Sequence, residues 1–284
     1  ISMPYKNHSI GIMQGRLTPS IGRGIQFFPF DNWEQEFSIG KKVRIDEIEF
    51  IFDFDRYAKN PLWTKEGKDN IRSLIAETGV EVRHICADFF MRRPFFRVSE
   101  EERKENVEIL KALIQAASEI GSVGIEIPLV DNSSIKTQEE EDAFVASIQE
   151  CLPLAEEKHI VIGLEIDYPP QKFTALLRRF DHPLMKANYD SGNSAGLGYE
   201  PHEEITTIGS LLSNVHIKDR KFQGTTVPLG TGSTDFEAFF RGLKEVEYKG
   251  SFILQVARGE DGKEPETIRS QMNFVKGYID RYLS

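Results

Sequence analysis

Short apolar runs alternate with amphipathic segments along almost the whole chain. Eight such runs occur, at residues 9–13, 45–51, 81–86, 123–128, 160–166, 184–189, 214–217 and 251–256. The segments between them place apolar residues three and four positions apart, as Val107, Leu110 and Ile114 do, which is the period of a helix that covers a sheet. This alternation predicts an α/β fold with a parallel sheet, and eight strands predict a (β/α)₈ TIM barrel.

Several predicted helices have recognisable ends. Ser99 precedes three glutamates and is expected to cap a helix whose dipole favours acidic residues in the first turn. Gly121 is expected to end that helix, and Pro201 and Asp235 are expected to begin two others. No linker and no break in composition interrupts the pattern. Residues 1–284 are therefore predicted to form a single barrel domain.

Net charge, apolar content and cysteine count exclude some classes of function. The formal net charge of −10 gives no electrostatic basis for sequence-independent binding of nucleic acid. No apolar run approaches the roughly 20 residues of a membrane span, so no membrane partner is expected. The only cysteines, Cys86 and Cys151, are too few for a disulfide framework and suit a reducing compartment. We expect a cytoplasmic protein.

Polar residues concentrate where the predicted strands end. In TIM barrels the reactive groups lie at the carboxyl ends of the strands, in the mouth of the barrel. Isolated buried charges are costly, so this many ionisable groups predicts a functional site. The segment from Gln14 to Phe30 follows the first strand and is either a lid over the mouth or a surface loop. The polar residues at or near strand ends are Gln14, Arg16, Glu49, His84, Asp88, Glu126, Glu165, Asp190, Asn193, His216, Lys218, Asp219, Gln255 and Arg258.

Three of these residues form a set suited to a divalent metal ion. Glu165, Asp190 and His216 end three successive predicted strands, and two carboxylates with an imidazole suit Mn²⁺, Mg²⁺, Co²⁺ or Zn²⁺. The barrel register, and not a local spacing motif, would bring them together. The alternative is that each is a separately satisfied polar residue, for example with His216 hydrogen-bonded to a neighbouring strand.

The order of short motifs in the second half of the chain resembles the xylose-isomerase-like family of sugar isomerases and epimerases, within the endonuclease-IV-like superfamily. The resemblance implies a divalent metal ion held by Glu165, Asp190 and His216, and a keto-sugar or sugar phosphate as substrate. It also implies proton removal by Glu165, which produces an enediolate intermediate. The motifs are Gly-Leu-Glu-Ile at 163–166, Tyr-Asp-Ser-Gly-Asn at 189–193, Val-His-Ile-Lys-Asp at 215–219, and Val-Pro-Leu-Gly-Thr-Gly at 227–232 followed by Asp-Phe at 235–236.

The last strand departs from the family pattern. Members of the family usually carry a second glutamate there, where this chain has Gln255. Glutamine still offers a carbonyl oxygen to a metal, but it cannot accept and return a proton at neutral pH. Three explanations remain open. Another group, such as His84, Asp219 or Glu126, supplies the second proton transfer; the reaction needs only one base; or the barrel has lost its activity.

The remaining candidates concern the substrate. Arg16, Lys218 and Arg258, with Arg220 and Lys221 nearby, are expected to form a cationic pocket for a phosphate or carboxylate. Glu126, Asn193 and Asp219 are further expected substrate contacts. His84 is expected to point towards the mouth and to act as a catalytic group together with Glu165.

Three functions therefore compete. The first is a metal-dependent isomerase or epimerase of sugars or sugar phosphates. The second is a sugar-binding or divergent barrel, inactive or dehydratase-like, which Gln255 favours. The third is an endonuclease, which six histidines and a net charge of −10 disfavour. Barrels of this kind often pair, so a homodimer formed through Phe27 and Phe28 or through Phe95 and Phe96 is a further hypothesis.

Overall fold

A computed structural model describes residues 6–284, and its core is a closed barrel of eight parallel strands. Around the barrel the strand order is β1-β10-β7-β6-β5-β4-β3-β2, so the chain closes the ring by pairing its first strand with its last. This confirms the predicted TIM barrel. The barrel strands are β1 (Ile10–Met13), β2 (Glu47–Ile51), β3 (His84–Cys86), β4 (Gly124–Leu129), β5 (Val161–Ile166), β6 (Met185–Asp190), β7 (Leu212–Ile217) and β10 (Phe252–Leu254).

Helices surround the barrel and connect its strands. The two short strands outside the barrel, β8 (Asp219–Arg220) and β9 (Thr226–Val227), pair antiparallel as a hairpin beyond β7. The helices are α1 (Gln35–Val43), α2 (Lys65–Thr78), α3 (Phe89–Arg92), α4 (Glu100–Ile120), α5 (Gln138–Lys158), α6 (Pro170–Phe180), α7 (Ser191–Leu197), α8 (Pro201–Ile208), α9 (Phe236–Glu245) and α10 (Glu264–Tyr282). One-turn 3₁₀ helices lie at Tyr57–Lys59, Pro61–Trp63, Asp131–Ser133 and Gly209–Leu211.

The predicted helix ends are confirmed by their capping contacts. The Ser99 hydroxyl accepts a hydrogen bond from the Glu102 peptide N–H at the start of α4. Gly121 ends the same helix with a φ of 83°, the left-handed conformation that favours glycine. Asp235 caps α9 in the same way as Ser99, by accepting from the Ala238 peptide N–H.

The third strand is shorter than its apolar run. Residues 81–86 were predicted as a strand, but β3 begins only at His84, while Glu81 forms an isolated bridge with Glu47. His84 pairs with Gly124, the first residue of β4. His84 therefore lies at the amino-terminal end of the barrel, opposite the mouth.

The aromatic pairs suggested as dimer contacts are largely inside the chain. Phe95 and Phe96 are 1% and 3% exposed, and Phe28 is 2% exposed and packs edge-to-face against Phe30. Side chains buried in this way offer little apolar surface to a second copy, so the structure lends no support to pairing through Phe95 and Phe96. Within residues 6–284, none of the helices has the length and apolar character needed to span a membrane.

Candidate active site

Three neighbouring strands bring Glu165, Asp190 and His216 together at the mouth of the barrel. Glu165 lies near the end of β5 and Asp190 ends β6, where the register pairs Asp190 with His216 of β7. A register shift between Ala187 and Asn188 precedes this pair, and such irregularities re-aim side chains next to active sites. One potential ligand atom from each of the three residues lies within 4.8 Å of the others. The structure thus brings the three predicted side chains together.

The atoms that face this space lack ordinary hydrogen-bond partners. Glu165 Oε1, His216 Nδ1 and, from the residue after β10, Gln255 Oε1 are buried without a hydrogen bond, although Glu165 Oε1 and His216 Nδ1 lie 3.5 Å apart, too far for a good hydrogen bond. Asp190 uses Oδ1 to cap α7 through the Asn193 N–H, and its Oδ2 lies 3.0 Å from Lys218 Nζ. Unpartnered buried acceptors are costly. This donor set therefore fits a divalent cation held by Glu165, Asp190 and His216, with the Gln255 carbonyl as a further oxygen ligand.

Burial and neighbouring charges perturb the pKa values of this group. Burial, reinforced by the charge of Asp190, raises the pKa of Glu165. Burial alone would raise the pKa of Asp190 as well, but the Lys218 ammonium lowers it below its usual range. For His216, burial favours the neutral ring, yet Glu49 and Glu165 raise the pKa well above its ordinary value. Lys218 and a protonated His216 would thus balance the two carboxylates, whereas ligation of a metal requires the neutral His216 ring, so metal binding would displace the proton from Nδ1.

A second buried polar layer lies beneath the first. Glu49 Oε2 is 2.8 Å from His216 Nε2, which leaves Nδ1 of the same ring directed at Glu165. A carboxylate that holds the far nitrogen of a histidine orients the ring for metal ligation. In the same layer, the Cys86 thiol donates to Glu126 Oε2 at 3.1 Å. Burial and the charge of Glu165 raise the pKa of Glu126 well above its usual range.

The mouth opens into a cavity of about 420 Å³ that carries both acidic and basic groups. Glu165 and Gln255 line it, as do the predicted cations Arg16 and Lys218. Asn193 also faces the cavity, and its side-chain oxygen accepts from Arg220 Nη1 at 3.1 Å. A neighbouring cavity of about 310 Å³, lined by Tyr189 and Phe222 among others, contains none of the candidate metal ligands. The larger cavity is therefore the candidate substrate site.

The segment after β1 covers the mouth as a lid. Gln26 lines the cavity, and its side chain contacts three residues from different strand ends. Gln26 Oε1 accepts from Gln255 Nε2 at 2.6 Å and from Arg16 Nη1 at 3.1 Å, while Gln26 Nε2 donates to Asp88 Oδ2 at 2.5 Å. Of the two alternatives for residues 14–30, the structure therefore supports the lid.

Glu36 fixes the start of the lid. Both of its carboxylate oxygens accept from the Gly15 peptide N–H, at 2.8 and 2.9 Å, and the side chain is fully buried on α1. Gly15 has a φ of 90°, so a side chain there would be strained. Burial raises the pKa of Glu36 to about 8, against the opposing effect of the Gly15 hydrogen bond. The folded state therefore favours the protonated carboxyl more than the unfolded state does.

A Glu36→Gln variant tests this pKa through the pH dependence of stability. Because the folded pKa lies above the unfolded value, the stability that Glu36 contributes is full below about pH 4.5 and is lost as pH rises towards 8. Between pH 5 and 8 the free energy of unfolding should fall more steeply in the wild type than in the variant, by up to about 1.4 kcal/mol per pH unit. Urea denaturation at several pH values measures this. Exposed Glu34, replaced by glutamine, is the control, and identical slopes for the wild type and Glu36→Gln would contradict the assignment.

The structure does not place His84 in the site. Its Nδ1 lies 3.1 Å from Glu47 Oε1, in a buried network at the amino-terminal end of the barrel with Arg83 and Ser251. The prediction that His84 points to the mouth is wrong. Cys86 ends β3 as expected, but the strand has only three residues, and His84 is its first, level with Gly124 at the start of β4. His84 therefore cannot supply a second proton transfer at the mouth.

Three predicted substrate contacts have other partners. The Asp219 carboxylate accepts peptide N–H groups of Gly230, Gly232 and Thr234, and a Cβ on Gly232 would collide with it. Asp219 therefore shapes residues 230–234 and does not line the substrate cavity.

Arg258 and Glu126 also lie outside the wall of the substrate cavity. Arg258 donates to the carbonyl oxygens of Ile25 and Thr18 and stacks on Phe27, so it anchors the lid. Glu126 belongs to the layer beneath Glu165, because its partner on β5 is Gly163. Neither position supports a direct contact with substrate.

Sequence reasoning misses one contributor to the site, Gln26, and gives no role to two others, Glu49 and Asp88. Gln26 lies in a loop with no pattern that marks its return to the mouth. Glu49 was noted at a strand end, but its contact with His216 depends on packing across the barrel interior. Asp88 is also among the strand-end residues, and its position two residues after β3 is a usable signal that it lines the cavity.

The fold and the ligand set define a class of protein. A family model described as xylose isomerase-like TIM barrel matches residues 40–278. The chain belongs to this family, which confirms the resemblance seen in its motifs.

Two relatives named as L-ribulose-5-phosphate 3-epimerases, one of them as putative, are similar to this chain over most of its length. The chain is 26% identical over 274 residues to the putative L-ribulose-5-phosphate 3-epimerase SgbU of Haemophilus influenzae, covering 92% of each chain. It is also 26% identical over 235 residues to the L-ribulose-5-phosphate 3-epimerase UlaE of Salmonella heidelberg, covering 79% of this chain and 82% of the relative.

Two solved structures are similar in fold across nearly their full length. A D-allulose 3-epimerase from Methylomonas sp. is 16% identical with a TM-score of 0.75, and the match covers 98% of this chain and 100% of the other. The IOLI protein with a bound zinc atom is 17% identical with a TM-score of 0.77, covering 96% and 99%. At these identities the comparison supports the fold alone.

Proposed function

We propose that this protein is a divalent-metal-dependent 3-epimerase of a ketose or ketose phosphate, with Glu165 as a base. The observation that carries the proposal is the convergence of unpartnered ligand atoms of Glu165, His216 and Gln255, with Asp190, on one charged cavity. Relatives named as L-ribulose-5-phosphate 3-epimerases support the reaction class. They also make L-ribulose 5-phosphate the first substrate to test.

A bound cation and the Glu165 carboxylate would perform different parts of the reaction. A divalent cation bound there would stabilise the negative charge that develops on the substrate oxygens during proton removal. The Glu165 carboxylate would take the proton from the carbon next to the carbonyl, giving the enediolate intermediate of the sugar.

The basic groups of the cavity fit an anionic end of the substrate. Arg16, Lys218 and Arg220 line the same cavity as Glu165, although the whole chain is acidic. Arg16 is almost fully buried and is held by Gln26, so it is preorganised rather than free in solvent. Guanidinium groups bind phosphate through paired hydrogen bonds. We infer that a phosphate or carboxylate of the substrate binds on this side.

The test combines metal analysis with solvent exchange. Purified protein is loaded with Mn²⁺, Mg²⁺, Co²⁺ or Zn²⁺, and its metal content and melting temperature are measured, because a cation that binds the native state raises that temperature. L-ribulose 5-phosphate is then incubated with the loaded protein in D₂O and followed by NMR. We expect one metal ion per chain at this site, deuterium incorporation at C3 and formation of the 3-epimer.

A His216→Ala variant is the negative control for the metal. It removes a ligand, so the cation-induced rise in melting temperature and the C3 exchange should both disappear. His202→Ala, which changes an exposed histidine paired with Glu245, should keep both. Metal binding by His216→Ala at the wild-type level would contradict the ligand set. Wild-type protein that binds metal but exchanges no ketose proton would instead favour a binding or dehydratase-like role.

A further inference from the structure

The proposed epimerisation needs a second proton carrier, which the last strand does not supply. An epimerase must remove the proton from one face of a carbon and return one to the opposite face. Gln255 cannot do this. Glu126 and Asp219 do not line the cavity, and His84 lies at the other end of the barrel. The second carrier must therefore come from another part of the cavity wall.

We propose that Asp88 is this second acid–base catalytic residue, which gives a proton to, or takes one from, the face of the substrate carbon opposite Glu165. This inference rests on the proposed function. Asp88 follows β3 and lines the same cavity as Glu165, which comes from β5, so β4 separates the two carboxyl groups in the barrel wall. A sugar in the cavity would lie beside both of them.

The lid holds Asp88 in this position. Gln26 Nε2 donates to Asp88 Oδ2 at 2.5 Å, and Gln26 Oε1 accepts from Gln255 Nε2 at 2.6 Å. Asp88 is thus connected through one side chain to the position where the family usually has its second glutamate. From below, Cys86 Sγ lies 3.3 Å from Asp88 Oδ1, and its one thiol hydrogen is shared between Asp88 and Glu126. These contacts restrain the carboxyl group at the cavity wall without an ion pair that would keep it ionised.

The other acidic residues of the cavity wall are less suited to the role. The hydrogen bond of Asp53 is to the peptide N–H of its neighbour Phe54, at 2.6 Å, and not to the lid. Asp131 is exposed at the rim. Burial raises the pKa of Asp88 above its ordinary value, against the opposing effect of the hydrogen bonds from Gln26 and Cys86. Of these three, Asp88 alone combines a contact with the lid, a place in the cavity wall and a link through Gln26 to Gln255.

Epimerisation at C3 by these two groups needs no further reactant. The Glu165 carboxylate accepts the C3 proton, and the C–H electron pair becomes part of the enediolate. The Asp88 carboxylic acid then gives its proton to C3 from the other face, which restores the ketose with inverted configuration. Asp88 is left ionised and Glu165 protonated, and proton exchange with solvent through the open cavity resets both. The reverse reaction uses the same groups in exchanged roles.

The test follows C3 exchange in both epimers. Metal-loaded wild type and Asp88→Asn are incubated in D₂O with L-ribulose 5-phosphate and, separately, with L-xylulose 5-phosphate, its 3-epimer. We expect net epimerisation by the variant to fall by about 10²-fold or more, the usual contribution of a general acid or base. One epimer, whose C3 proton faces Glu165, should still incorporate deuterium at a rate near that of the wild type. The other should lose exchange along with turnover.

Two further variants keep the result interpretable. Asp88→Glu retains a carboxyl and should keep measurable epimerisation. Adding Gln255→Glu to Asp88→Asn restores a carboxylate on the last strand and should raise epimerisation at least tenfold above the single variant. Epimerisation by Asp88→Asn at the wild-type rate would overturn the inference, as would equal loss of exchange in both epimers by a folded, metal-loaded variant. Wild-type protein inactive in both assays would refute the proposed function itself.

Discussion

Glu165→Gln protein is expected to lose C3 exchange and epimerisation by at least about 10²- to 10⁴-fold, the range for removal of a general base. The amide keeps an oxygen at the ligand position but cannot accept a proton. Metal should therefore still bind, with lower affinity because one negative charge is gone. Exchange rates in D₂O and metal titrations of wild type and variant measure the two effects separately.

The separation of these effects identifies the role of Glu165. If the side chain only holds the metal, exchange should recover once enough metal is added to saturate the variant. If Glu165 is the base, kcat should stay low at saturating metal and substrate while KM changes little. An exchange rate in saturated Glu165→Gln equal to that of the wild type would rule out the base. Glu203→Gln, on the exposed first turn of α8, provides a matched glutamate control.

The sequence predicted those parts of the site that the barrel register determines. Glu165, Asp190 and His216 each lie near the end of a long buried run, and parallel pairing of β5, β6 and β7 brings such ends together without further information. Arg16 and Lys218 lie just beyond strand ends and reach the cavity for the same reason. Local rules also placed the caps of α4 and α9, because capping depends on neighbours in sequence.

The sequence could not predict contacts made across the barrel or by returning loops. His84 was misplaced because apolar content marks a run as buried without saying which residues pair, and only the last half of the run 81–86 forms β3. Asp219 looked like a mouth residue, but the β8–β9 hairpin turns residues 230–234 back onto its carboxylate. Gln26 joins Asp88 to Gln255 from 62 and 229 positions away in sequence. Such contacts depend on how a loop folds over the finished barrel.

The two ends of the barrel differ in role: the mouth carries the candidate active site, and the amino-terminal end carries a buried ion-pair network. Variants of Glu47 test this division. Glu47 is fully buried at the amino-terminal end and binds Ser251, Arg83 and His84 through its two carboxylate oxygens. Glu47→Ala removes a carboxylate from beside the buried Arg83 guanidinium. Breaking a buried pair from one side costs about 3–5 kcal/mol. Because Arg83 keeps its ion pair with Glu81 in the variant, the free energy of unfolding in urea should fall by about the lower end of that range.

The pH dependence gives this prediction a second, independent readout. Burial alone would raise the pKa of Glu47, but the His84 hydrogen bond and the charges of His84 and Arg83 lower it below the unfolded value. The stability that Glu47 contributes is therefore full above about pH 4.5 and is lost as pH falls below that. The stability difference between wild type and Glu47→Gln should accordingly shrink on acidification. Metal binding at the mouth should be unchanged in both variants.

A variant at a surface glutamate is the control for the loss of stability in Glu47→Ala. Glu260 forms an exposed ion pair with Lys263, and such pairs contribute about 0–1 kcal/mol, so Glu260→Ala should alter stability little. Wild-type stability in Glu47→Ala would mean that the amino-terminal network is not a source of stability. If Glu47→Ala lost both its stability and its metal binding at the mouth, the two ends of the barrel would not be separable in this way. Retained metal with reduced stability is the result that assigns folding to one end of the barrel and chemistry to the other.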